Sequence, residues 1–318
     1  LGHPSSRSLE PVPGPSRRAS ARLWLASNSM APDPAPHLIW NVDEVPTDLR
    51  SPVLVAAFEG WNDAGEASST AARYVRDHFQ AEHVATIDAE DFFDFTVARP
   101  NVHLDEHDVR QIVWPSTGIH VARIPSAEHD LVCAIGHEPQ LRWRSFVDHL
   151  AITAEAMGAT MVCTLGALLT DVPHTRPTQV YGGTDDPVLA ARLTLSPSTY
   201  EGPTGIVGVL SAGLRERGVT TASFWASVPS YVSNAPSPKA ALALVDRLCH
   251  VLAVNVPRTD LEIAAAAYER QVTDLVAEDD DTVEYVEQLE ADFDEETADN
   301  PDQLVSEVED FLRNQPGT

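Results

Sequence analysis

The stretch Val53-Leu-Val-Ala-Ala-Phe-Glu-Gly-Trp-Asn-Asp-Ala-Gly65 decides the fold. Six consecutive apolar residues, Val53 to Phe58, give way at once to an acid, a glycine, a tryptophan, an Asn-Asp pair and, after Ala64, a second glycine. An alanine-rich segment with helical spacing, Ala64 to Phe79, comes next. An uninterrupted apolar run suits a strand covered on both faces. A strand, a glycine-bracketed turn and a helix in that order make the repeating unit of an α/β protein. In open sheets of that kind, polar side chains just past the strand's carboxyl end face the crevice where ligands sit. The turn also has a plainer use, because Asn62 or Asp63 would cap the helix that follows. Capping does not call for Glu59 and Trp61. Glu59, Gly60, Trp61, Asn62, Asp63 and Gly65 therefore form the first candidate ligand-binding group.

Outward from this unit, residues 37–257 alternate strand-like and helix-like segments, as expected of a three-layer α/β/α domain. Strands are expected at Val84–Asp88, Gly118–Ile124, Asp130–Gly136, Thr160–Leu165 and Val219–Ala226, with a short edge strand at Thr178–Tyr181 and a turn at Gly182-Gly183. Helices are expected at Gln140–Met157, Pro203–Arg217 and Pro238–Leu252, with Pro203 in a first turn and Gly218 just past a last one. Residues 258–318 read as an acidic helical extension. Leu261, Tyr268, Leu275, Thr282 and Leu289 lie seven apart, as do Ala265, Val272, Asp279, Val286 and Phe293. Two amphipathic helices broken near Glu278–Thr282 fit this spacing, followed by a short helix from Asp302 to Arg313. Residues 1–36, rich in Ser, Pro and Arg, read as a disordered or non-native leader, with Met30 a candidate natural start.

Composition excludes several functions. The chain carries a net charge of −27, and residues 259–318 alone hold 20 acidic and two basic side chains. Such a surface repels nucleic acid, and none is expected as a partner. No apolar run reaches the length of a membrane span, so no membrane partner is expected and a cytoplasmic protein is. Cys133, Cys163 and Cys249 lack paired spacing and read as core thiols of a reducing compartment. Lys239 is the single lysine, and no phosphate-binding GxxxxGK[ST] loop occurs.

The remaining chemistry-bearing residues are few. The turn at 60–65 and the run Pro203-Thr-Gly205 each place backbone amides at a helix start, where anions are attracted. Tyr200, Glu201, Gly202, Thr204 and Gly205 join the candidate ligand-binding set on that ground, with His174 and Arg176 from the loop after the Thr160–Leu165 strand. The plainer reading of the same residues, preferred on sequence alone, is fold-specific turns with a buried ion pair, and for His174 a structural histidine. His103 and His107 are four apart without the His-Glu-x-x-His pattern, so an exposed polar loop is expected there and no metal. No Gly-x-Ser-x-Gly elbow is present, and no catalytic residue or cofactor is assigned.

Four segments read together: Ala57-Phe-Glu-Gly-Trp-Asn-Asp-Ala-Gly65, Gly136-His-Glu-Pro-Gln-Leu-Arg-Trp-Arg144, Gly166-Ala-Leu-Leu-Thr-Asp-Val-Pro-His-Thr-Arg-Pro177 and Tyr200-Glu-Gly-Pro-Thr-Gly205. Their order and wording resemble the actinobacterial type of the proteasome assembly chaperone family, in the branch named for the second chaperone. The resemblance runs over about 38–313. It implies a nucleoside-phosphorylase-like fold, with a mixed central sheet between helices and a helical C-terminal extension. It also implies homo-oligomers, in particular trimers, and a chaperone or adaptor role toward the proteasome core or another protein complex. Some archaeal relatives dock through a hydrophobic-Tyr-X ending, from which Gln315-Pro-Gly-Thr318 departs. The alternative function is a phosphorylase-like hydrolase or transferase, or a small-ligand binding protein, using the crevice formed by 59–65, 171–177 and 200–205.

Overall fold

In the computed structural model, which describes residues 35–195 and 200–299, the run at 53–58 lies inside an eight-stranded sheet. The first half of the chain supplies β1 (Leu38–Trp40), β2 (Val53–Glu59), α1 (Ala67–His78), β3 (Glu82–Ile87), β4 (Asn101–Leu104), β5 (Arg110–Val113), β6 (Thr117–Ala122), β7 (Leu131–His137) and α2 (Trp143–Ala156). The second half supplies β8 (Met161–Thr170), β9 (Val180–Gly183), α3 (Pro187–Leu193), α4 (Ile206–Glu216), β10 (Thr221–Pro229), α5 (Pro238–Leu252), α6 (Thr259–Val276) and α7 (Asp280–Asp299). Strand order is β1-β3-β6-β7-β2-β8-β10-β9. Strands β7, β2, β8 and β10 run parallel, while β1, β3, β6 and β9 pair antiparallel with their neighbours, so the sheet is mixed.

The continuous apolar pattern of β2 follows from cover on both faces. Val53, Val55 and Ala57 join Ala71 and Val75 of α1 and Leu244 and Leu248 of α5 in one core cluster. Phe58, on the alternate face, meets Phe146 of α2 edge-on with ring centroids 5.7 Å apart, and α4 packs beside α2. The result is the expected three-layer α/β/α arrangement. Truncating a fully buried side chain such as Phe58 to alanine costs roughly 3–5 kcal/mol. Cys133, Cys163 and Cys249 are buried and free, and burial pushes the Cys133 and Cys163 thiols up to about 12.

Several boundaries moved, each for a physical reason. Strand β8 continues past Leu165 to Thr170 because β10 pairs with it along its whole length. Gly166 within it has no side chain because the Trp225 ring lies across that position. Gly182 and Gly183, expected as a turn, belong to edge strand β9, where Leu195 and Phe224 press on Gly182. Helix α4 starts at Ile206 with Gly205 as its N-cap, leaving Pro203 before the helix. His103 lies in β4 and His107 at the turn of the β4–β5 hairpin, a strand pair in place of the expected loop. Among the described residues no His/Cys/Asp/Glu cluster is arranged for a metal.

The tail forms α6 and α7 with a break at 277–279, where Asp279 caps the second helix by accepting from the Thr282 amide at 3.1 Å. Leu261, Ala265, Tyr268, Val272, Val286 and Leu289 are buried as their spacing predicts, whereas Leu275 is 56% exposed. The expected helix at 302–313 and the leader up to residue 34 lie outside the described residues. No described helix is long and apolar enough to cross a membrane.

Candidate functional site at the carboxyl ends of the parallel strands

Strands β2, β7, β8 and β10 end at Glu59, His137, Thr170 and Pro229, and the turns that follow them meet at one end of the sheet. Asn62 is wholly buried there. Its Nδ2 donates to Glu138 Oε1 at 2.6 Å, and the same oxygen accepts from the Ile206 amide at 2.8 Å. Its backbone carbonyl accepts from the Ala167 amide at 2.8 Å, tying the turn to β8. Gly205 packs against the Asn62 amide so closely that a Cβ would overlap it. The start of α4 is thus occupied by the chain's own carboxylate.

Asp63 does the same for α1. Its Oδ1 accepts from the Ser68 amide (2.7 Å), the Ser68 hydroxyl (2.6 Å) and the Ser69 amide (3.1 Å), across a single 3-10 turn at Ala64–Glu66. Of the two uses open to Asp63 in the sequence, capping is the one the geometry displays. Gly65 adopts φ +58, a conformation that favours glycine, and its carbonyl accepts from the Ser237 amide at 2.7 Å. Gly60, at φ +126, lies against Glu138.

His174 and Arg176 are directed instead to the C-terminal helices. The Thr273 hydroxyl donates to the Glu269 carbonyl, so its oxygen accepts from His174 Nε2–H at 3.0 Å. Tyr231 Oη accepts from the His174 amide and donates to Nδ1, both at 2.8 Å. Every polar atom of the ring is therefore used in one tautomer. Burial, and then the nearby Lys239 ammonium, hold the imidazole below its usual pKa, in its neutral form. Lys239 donates to the His174 carbonyl at 2.5 Å and pairs with Glu269. Arg176 grips Asp294 with two bonds, Nε–Oδ1 at 2.8 Å and Nη2–Oδ2 at 2.7 Å. Beneath this latch Val232, Tyr268, Val272, Val276 and Val286 form a small apolar cluster. The space left among His174, Ser237, Lys239 and Tyr268 is about 10 Å³, room for a single water.

Tyr200, Glu201, Gly202 and Thr204 lie on the surface before α4, with the Tyr200 hydroxyl donating to the Pro203 carbonyl at 2.9 Å. Trp61 is 65% exposed. Neither of the two principal cavities is lined by all three expected segments. The larger, about 280 Å³, takes only Glu59 from the candidate set. Glu59 pairs there with Arg73 of α1 and with His137 Nδ1 at 2.7 Å. Burial and Arg73 lower the His137 pKa, so its Nδ1–H donates to the carboxylate. Glu138 and Arg73 were missed by sequence reasoning. Glu138 carried a signal, because it directly follows an apolar strand, much as Glu59 ends one. Arg73, on an amphipathic helix, carried none.

The chain matches the model of the PAC2 family over residues 57–276, from the end of β2 to the end of α6. Among solved structures, a PAC2 family protein from Streptomyces avermitilis is 48% identical, with a TM-score of 0.69 over 74% of this chain and 99% of that one. The Mycobacterium tuberculosis proteasome-assembly chaperone homologue Rv2125 is 42% identical, with a TM-score of 0.67 over 74% and 99%. Pyrococcus furiosus PbaB, an archaeal proteasome activator, shares the fold at 15% identity, with a TM-score of 0.60 over 75% and 97%. Comparison with curated proteins gave no match. With 220 consecutive positions covered by its model, 57–276, the chain belongs to the PAC2 family.

Proposed function

We propose that this protein is a cytoplasmic, oligomeric chaperone or adaptor of actinobacterial type, working on a protein complex such as the proteasome core. The observation that carries this reading is the β4–β5 hairpin. All eight of its strand residues are exposed. Val102, Leu104, Val109 and Ile112 are each more than half exposed, and Val102 pairs across the strands with Ile112. A two-stranded ribbon is marginal alone in water, and an apolar patch of this kind marks an association surface. The reading assigns the hairpin to self-association, with the trimer as the assembly. It makes residues 37–257 the body and 258–318 a partner-facing extension held by the His174–Arg176 latch. The 42% identity to a proteasome-assembly chaperone homologue supports the choice of client class.

Light scattering on the purified protein tests the assembly, and capture from a native lysate of an actinobacterium tests the client. A mass three times that of the chain, with core-particle subunits recovered, is the expected result. A monomer that recovers none of those subunits overturns the reading.

A further inference from the structure

The 280 Å³ cavity lies between α1, the roots of the β4–β5 hairpin and the ends of β6 and β7. Arg73, Arg76 and Arg99 line it, and the one carboxylate among its lining residues is Glu59. In a chain of net charge −27, three guanidiniums here face two carboxylates, Glu59 in the wall and Asp77 just behind it, a local excess of one positive charge. Arg73 is already paired with Glu59, and Arg76 Nε reaches Asp77 at 2.7 Å. Arg99 is exposed and makes no hydrogen bond or ion pair among the described residues. Burial lowers the pKa of Arg73, and the neighbouring charge of Arg76 lowers it further. Glu59 and Asp77 offset part of the cost of crowding these groups, and a further anion beside Arg99 would offset more.

The rest of the wall suits a polar anion. His137 lies beside Glu59 and His120 on the adjacent strand, both at the cavity and both kept neutral by burial. Neutral imidazoles add hydrogen-bonding capacity without adding charge. Trp114, at the hairpin root, meets Phe95 with ring centroids 4.8 Å apart and planes tilted by 59°, and gives the rim an aromatic side.

The geometry points to a binding site for a small phosphate monoester in this cavity, its phosphoryl oxygens held by Arg99, Arg76 and Arg73 and its organic part against Trp114. A phosphoryl group brings about −1.5 to −2 charge at pH 7 and three peripheral acceptors, enough to engage the Arg99 fork and the remaining donors of Arg73 and Arg76 together. A single carboxylate would leave guanidinium donors unused, and arginine forks fit phosphate bidentately. This inference does not depend on the chaperone reading. Its failure appears in ligand titration, whereas that of the chaperone reading appears in the mass and in the lysate capture.

The test is isothermal titration of the full chain, at low ionic strength, with inorganic phosphate, ribose 5-phosphate and succinate. Saturable 1:1 binding of ribose 5-phosphate, tighter than phosphate and far tighter than succinate, is expected. Arg99→Gln, which removes an exposed side chain with no structural partner, is expected to weaken it by about tenfold or more with unchanged circular dichroism. Trp114→Phe is expected to remove the fluorescence change that accompanies binding. No saturable binding of either phosphate compound overturns the inference. So does equal affinity for succinate, or an affinity unchanged in both Arg99→Gln and Arg76→Gln.

Discussion

Asn62 and Glu138 stand 76 positions apart in sequence and 2.6 Å apart in the fold, and their contact joins the turn after β2 to the turn after β7. Because Glu138 Oε1 also accepts from the Ile206 amide, one carboxylate oxygen fixes three segments of chain. Removing it strands a buried amide donor on Asn62 and opens the start of α4. Glu138→Ala is expected to lower stability by about 2–4 kcal/mol, and Glu138→Gln by less, since the amide oxygen still accepts. Urea denaturation of both variants checks the order. Gly205→Ala tests the same knot sterically: a Cβ overlapping the Asn62 side chain is expected to cost about 1–3 kcal/mol.

Asp63 caps α1 from before a 3-10 turn, with Ser68 and Ser69 as its partners. Asp63→Ala is expected to cost about 2 kcal/mol or slightly more, the upper end for a cap, because the amides it leaves are buried. Asp63→Asn retains an acceptor and should lose about half as much. Thermal melts followed by circular dichroism separate the two.

The latch over the strand ends divides into a strong and a weak part. Arg176 and Asp294 form a well-aligned but solvent-reached pair, so Arg176→Ala should leave global stability close to that of the wild type. Lys239 is mostly buried between the His174 carbonyl and Glu269. Lys239→Met should cost about 1–3 kcal/mol, by leaving the carbonyl and Glu269 without their partner. Hydrogen exchange discriminates further: Arg176→Ala should speed exchange in α7 and leave β2 unchanged.

Acid should weaken the fold from about pH 6.5 downward, through its buried histidines. Burial, then Arg76 and His83, hold His120 at about 4, well below the ordinary histidine value of 6.5, and His137 and His174 are lowered as well. Below pH 6.5 the unfolded chain therefore binds protons that the folded chain refuses. The stabilisation is complete above 6.5 and is lost as pH falls toward 4. Urea midpoints measured between pH 7 and 4.5 should fall steadily, and His120→Gln should flatten that slope.

Much of the sheet was legible because its central strands are covered twice. Val53–Phe58 and Leu131–Ile135 are written as unbroken apolar runs that admit no other reading. The β4–β5 hairpin was illegible for the opposite reason: with every residue exposed, no buried face imposes alternation on Asn101–Leu104 or Arg110–Val113. The start of α4 was misplaced because the group that fixes it, Glu138, comes from a remote segment. In the candidate site, Asn62, Asp63 and Gly205 were visible as turn residues, but their partners decide their use. Asp63 faces two serines one helical turn away, and Asn62 faces Glu138. Nothing in the spacing of 171–177 announced that His174 and Arg176 would be claimed by Thr273 and Asp294, about a hundred residues on.

We propose that Asn62, Asp63, His174 and Arg176 serve to hold the fold and that the exposed hairpin carries association. Light scattering of the wild type beside the double variant Val102→Asp/Ile112→Asp decides between these roles. A trimer is expected for the wild type and a folded monomer for the variant. A wild-type monomer, or a variant that still assembles, contradicts the proposal.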